Sequence, residues 1–70
     1  MEDKKTICEL LCLALQATRN QDDLVSLDYV LEDNGDEIVQ VKWKSGGRKQ
    51  INVTLDSGTA MIRDIMYSID

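Results

Sequence analysis

Polar and apolar residues alternate in three successive runs between Val25 and Asp56, and each run is separated from the next by a turn signal. In the middle run, Ile38–Lys44, Val39, Val41 and Trp43 share one face, while Ile38, Gln40, Lys42 and Lys44 share the other. Period-two alternation of this kind marks a half-buried strand. The run before it, Val25–Glu32, places Val25, Leu27, Tyr29 and Leu31 opposite Ser26, Asp28, Val30 and Glu32. The run after it, Gln50–Asp56, turns Ile51, Val53 and Leu55 inward and Gln50, Asn52 and Thr54 outward.

The turns fix how these strands pair. Asp33-Asn34-Gly35-Asp36 contains an Asn-Gly pair, the usual sign of a two-residue hairpin loop. That loop would set Leu31 against Ile38 and Tyr29 against Gln40, crossing core-facing with solvent-facing residues. Opposed residues share a face, so the register must obey the apolar pattern. A three-residue loop, Asp33-Asn34-Gly35 with Gly35 left-handed at a bulge, restores it. Tyr29 then faces Val39, Leu27 faces Val41, Val25 faces Trp43, and Val30 meets Ile38 on the outer face. The same parity requires an odd-length second loop, either Ser45–Gly47 or Gly46–Arg48.

Helical spacing flanks the strands. Ile7, Leu10, Leu11, Ala14 and Thr18 recur on one face, widened by Cys8, Leu15 and Ala17 beyond the usual core-facing stripe of about 100°. Glu9 and Gln16 mark the opposite face, with Leu13 stranded between them. Thr6-Ile7-Cys8-Glu9 fits a capping box, and Asp3 is an earlier alternative cap. Arg19 suits the helix C-terminus and Asn20 a left-handed cap. Leu24 is expected to tuck under the sheet. Near the other end, Ser57 or Thr59 caps a helix carrying Ile62, Ile65, Met66 and Ile69, with Met61 at the margin. Fraying is expected at Met1–Lys5 and in the last turn of the final helix, where the charge of Asp70 opposes the helix dipole.

The predicted fold is α+β: helix–strand–strand–strand–helix, a three-stranded antiparallel meander with both helices packed on one face of the sheet. Residues 1–70 are expected to form a single domain. In so short a chain most apolar side chains must contribute to the core.

Charge changes this picture more than composition does. The net charge is −5, which favours solubility and argues against nucleic-acid or anionic-membrane binding. The charges are also segregated. Asn20–Val41 holds seven acids and no base; Lys42–Lys49 holds four bases (Lys42, Lys44, Arg48, Lys49) and no acid. Cys8 and Cys12 lie four apart, on one side of a helix, which suits a disulfide poorly. No secretory signal precedes them, and the apolar stretch Ile7–Ala17 is too short for a membrane span. A reducing, cytoplasmic setting is expected.

The chemical inventory is thin. There is no histidine, which removes the commonest general acid–base and zinc ligand. Cys8 and Cys12 are two of the four ligands a structural zinc site needs, and their neighbours supply no others. No phosphate-binding glycine pattern is present, and Asp33, Asp36 and Glu37 lack the frame of an EF-hand. No catalytic, cofactor-binding or metal-ligating residue is assigned, and an enzyme is not expected.

The order of elements resembles the double-stranded-RNA-binding domain over nearly the whole chain. That family grips phosphates with a basic cluster at the start of its last helix. Here the corresponding stretch is Asp56-Ser57-Gly58-Thr59-Ala60-Met61, with one acid and no base. Glu9, Gln16 and Asp33–Asp36 replace its other contacts. The resemblance therefore implies the layout and not the RNA binding.

A small protein-interaction module (accessory, adaptor or inhibitor) is the expected function, with an unidentified protein partner or self-association into a dimer. The candidate contacts are Cys12, Leu13 and Leu15 on the first helix, and Val30 and Ile38 on the polar face of the sheet. One alternative is weak, salt-dependent nucleic-acid binding through Lys42, Lys44, Arg48 and Lys49. Another is an acidic inhibitor whose Asp22–Glu37 block imitates a phosphate backbone.

Overall fold

A computed structural model describes residues 3–69. Met1, Glu2 and Asp70 lie outside them, and so does the part of the expected fraying that falls on these three; the last turn is helical through Ile69. The order is α1 (Lys4–Gln16), β1 (Leu24–Leu31), β2 (Glu37–Trp43), β3 (Arg48–Asn52) and α2 (Gly58–Ile69). The strands form one antiparallel sheet in the order β1-β2-β3. Both helices lie on one face, where Leu27, Val39, Val41, Ile51 and Val53 meet Cys8, Cys12 and Leu15 of α1 and Met61 and Ile65 of α2.

The first hairpin has the expected register. Tyr29 pairs with Val39, Leu27 with Val41 and Val30 with Ile38. Glu32 N–H donates to Asp36 O at 2.8 Å, enclosing Asp33-Asn34-Gly35, and Gly35 sits at φ +91°. The start of β1 differs. A bulge between Leu24 and Ser26 hands the place opposite Trp43 to Leu24, which is buried, and turns Val25 out to solvent. The extra residue re-aims the side chains ahead of it.

The second loop is odd, as parity demands, but it is Lys44-Ser45-Gly46 and neither of the two expected. Trp43 N–H donates to Gly47 O, Gly46 N–H donates to Trp43 O, and Gly46 has φ +92°. Ile51 therefore opposes Val39, and Lys49 falls on the helix-bearing face opposite Val41. Its ammonium reaches Ser68 O near the end of α2, where a cation suits the helix dipole. β3 stops at Asn52 because the Asn52 Oδ1 accepts from both Thr54 N–H and Thr54 Oγ1. This local turn competes with the ladder. Leu55, expected inward, is consequently 97% exposed.

Both helices are rotated about their axes from the expected stripes. In α1 the buried line is Cys8, Cys12 and Leu15, with Ile7 and Leu11 beside it, while Leu10 and Ala14 are exposed. In α2 Met61 and Ile65 are fully buried and Met66 lies at the edge. Asp3 caps α1: its carboxylate accepts from Thr6 N–H and Thr6 Oγ1, so Asp3–Lys5 is not frayed. Asn20 is not left-handed; α1 closes at Ala17, and the Thr18 hydroxyl donates to Leu15 O at 2.7 Å. Ser57 caps α2 by accepting from Ala60 N–H. Trp43 is half-buried against the core, as expected of an inward residue, and its indole N–H donates to Gln21 Oε1 at 3.0 Å. Gln21 in turn donates to Ile69 O, tying the α1–β1 connection to the end of α2.

Candidate functional site

The five candidate contact residues do not form one surface. Leu15 is 6% exposed and belongs to the core, a correction to its expected place at a contact edge, while Cys12, 8% exposed, is a core residue that also lines the groove beside Leu13. The reason is the rotation of α1, which brings its Cys8–Cys12–Leu15 line over β1. Leu13 stays 65% exposed. Val30 and Ile38 are opposed across β1 and β2 on the other face of the sheet, Val30 exposed and Ile38 half-buried.

Leu13 has a neighbour that the alternation had assigned to the core. The outer flank of α1 and the start of β1 form an open groove of about 340 Å3, lined by Cys12, Leu13, Val25 and Leu27 and also by the acids Glu9 and Asp28. Val25 is there because the bulge turned it out, and it is 48% exposed. The groove runs into the free edge of the sheet. Past the bulge, the register of the Glu32–Asp36 bond means that the even-numbered residues of β1 direct their backbone groups at β2. Odd-numbered residues aim theirs outward. At the start of the edge α1 occupies these groups. Gln16 Nε2 donates to Leu24 O at 2.9 Å and to Val25 O at 3.3 Å, and the Cys12 thiol lies 3.9 Å from Val25 O. Further along, Tyr29 and Leu31 present N–H and C=O to an edge on which no strand is paired.

A second, polar cleft of about 760 Å3 opens where α1 begins, with Lys4, Tyr29, Glu37, Thr54 and Asp56 among its lining residues. Its groups are engaged with one another. Glu37 accepts from Lys4 Nζ at 3.1 Å and from Tyr29 OH at 2.6 Å, and Lys4 also donates to Val53 O at 3.0 Å. Glu37 N–H donates to Thr54 Oγ1 at 2.9 Å. The Tyr29 and Lys4 hydrogen bonds hold the Glu37 carboxyl below its ordinary range. The Glu37 carboxylate pushes the Tyr29 phenol up to about 12. This is a brace between α1 and the sheet, with its tyrosine protonated and its lysine paired, and it offers no free nucleophile. Nothing in the sequence pointed to it, because its members lie far apart along the chain.

In the wall of the cleft, Asp56 comes close to Asp64. A hydrogen bond with Asp64, then burial, raises the Asp56 carboxyl above the usual range. Asp56 Oδ2 is buried without a hydrogen-bond partner in the structure. Burial, chiefly, pushes the Cys8 thiol up to about 11 and raises Cys12 as well, so both are poor nucleophiles. Both cysteines are free. Among the described residues no group of three or more histidine, cysteine, aspartate or glutamate side chains is placed to hold a metal.

The basic residues are dispersed. Lys42 and Arg48 are opposed on the outer face, Lys49 turns to α2, and Lys44 sits in the loop. Lys42 also lies 3.9 Å from Asp28. No helix among the described residues is long and apolar enough to cross a membrane. No family model, curated protein or solved structure matches the chain.

Proposed function

We propose that this chain is a small non-enzymatic interaction module, an accessory, adaptor or inhibitor protein that binds another protein through the outer flank of α1 and the adjoining edge of β1. The observation that carries this reading is the groove between them. Leu13 and Val25, both exposed, line it together, next to the stretch of β1 whose outer edge carries no paired strand. Isolated exposed apolar residues are ordinary, whereas a contiguous apolar strip beside a free sheet edge is a usual docking feature. A cytoplasmic setting belongs to the same reading and is supported by the two free thiols.

The test is affinity capture from the native host with the wild-type chain and with Leu13→Glu, coupled to sedimentation across a range of concentrations. The expected result is a partner, or a dimer, retained by the wild type and lost by the variant while its circular dichroism is unchanged. A strict monomer whose captured proteins are indifferent to Leu13→Glu overturns the reading.

A further inference from the structure

Resting on that reading, we infer that the groove and edge take an extended segment of another protein that alternates apolar and basic residues and adds as a fourth strand beside β1. The sheet has strands in the order β1-β2-β3, so β1 has one free side. Gln16 and Cys12 occupy its backbone up to Leu27, which leaves the outward groups of Tyr29 and Leu31 to pair with an incoming strand. A strand laid there points alternate side chains to the two faces of the sheet. On the α1 side they meet the apolar lining of Leu13 and Leu27. On the other side they meet Asp28, Val30 and Glu32, the outward residues of β1.

Charge selects the occupant. Every charged residue from Asn20 to Val41 is an acid, so acids precede β1, lie on it and follow it. Glu9 adds another in the groove lining. Among the described residues the cation that pairs with Asp28 is Lys42, 3.9 Å away and with its side chain 42% exposed. A second copy offering its own β1 would bring two acidic edges together, and like charges at close range oppose docking. A segment with lysine or arginine at alternate positions is attracted instead, and its apolar residues take the groove. The β3 edge of a second copy, which carries Arg48 and Lys49, is the competing occupant that the experiment must separate.

The experiment uses the full chain, isotopically labelled, and short capped peptides. One alternates lysine with valine, one alternates glutamate with valine, and one has the lysine–valine composition in two blocks. The lysine–valine alternation is expected to bind at least about tenfold more tightly than either control, and to weaken as salt is added. Amide exchange at Tyr29 and Leu31 should slow by about tenfold or more in that complex. Leu31→Pro removes an outward N–H that the fold does not use and should abolish the complex. Should that variant fail to fold, Asp28→Lys with Glu32→Lys tests the same edge through charge alone and should cost about tenfold in affinity. Equal binding of the glutamate peptide, or protection at β3 in place of β1, overturns the inference. So does a chain that assembles with itself through β3, although that result would leave the interaction reading standing. A chain that ignores all three peptides also overturns it, and Leu13-dependent capture then judges the broader reading separately.

Discussion

Glu37 and Asp56 line the same cleft, and their environments push them in opposite directions. The Glu37 carboxyl is lowered by Tyr29 and Lys4, so its ionised form is favoured by folding. A group lowered in the folded state contributes stability above its unfolded value, and that contribution is lost as pH falls through the folded one. Glu37→Gln should therefore destabilise the chain at neutral pH by about 1–2 kcal/mol, since it weakens two charge-assisted hydrogen bonds and leaves Lys4 with only the Val53 carbonyl in place of its counter-ion. Thermal melts should show the gap from the wild type closing below about pH 4. Asp56 has the reverse sign. Its carboxyl is raised first by Asp64, then by burial, against the smaller opposing pull of Arg63 and Lys4. Its contribution is complete below the ordinary aspartate value of about 3.9 and is lost as pH rises through the raised one. At neutral pH the pair is a liability, and Asp56→Asn, whose amide can donate to Asp64, should stabilise by about 0.5–1 kcal/mol. Melting from pH 3 to 8 should show that gain vanish towards acid.

At the scale of elements, strand alternation was legible because each strand has one wet face. The first loop followed from it: Val39 could face Tyr29 only if three residues turned the corner. Gly35 and Gly46 each occupy a left-handed position inside such a loop. An added Cβ at either meets nothing within 4 Å, so the backbone strain is the whole penalty. Gly35→Ala and Gly46→Ala should each cost about 1–2 kcal/mol in urea denaturation. What alternation could not show were the places where a local bond outvotes it. The bulge at Val25 goes with side-chain bonds from Gln16 and Cys12 to the strand backbone, and no periodicity encodes those. The end of β3 was set by the turn at Asn52, although Leu55 continued the apolar pattern. The α1 stripe was ambiguous because apolar residues cover about half its circumference, and packing over β1 chose Cys8, Cys12 and Leu15 from them. The candidate site shared that fate. Leu13 was legible as an apolar residue between polar neighbours, while its partner Val25 was hidden by the same alternation that had located the strand.

For the molecule as a whole, separating folding from binding is the decisive consideration. A domain of this size has a core that supplies no more than about 3–5 kcal/mol of net stability. Met61 and Ile65 of α2 are fully buried against the sheet, whereas Leu13 and Leu10 on α1 are mostly exposed. Truncating a buried isoleucine to alanine costs about 2–5 kcal/mol, comparable to the whole reserve. Ile65→Ala should therefore leave the chain largely unfolded at 37 °C, with near-ultraviolet dichroism lost and amide protection collapsed everywhere at once, because both helices and all three strands share one core. Leu13→Glu should shift the urea midpoint by no more than about 0.5 kcal/mol equivalent, as surface substitutions do. If Leu13→Glu instead unfolded the chain, the flank of α1 would belong to the core, and its exposure could no longer be read as a surface kept for a partner. The two variants measured side by side thus decide whether the apolar strip along α1 and β1 is spare to the fold.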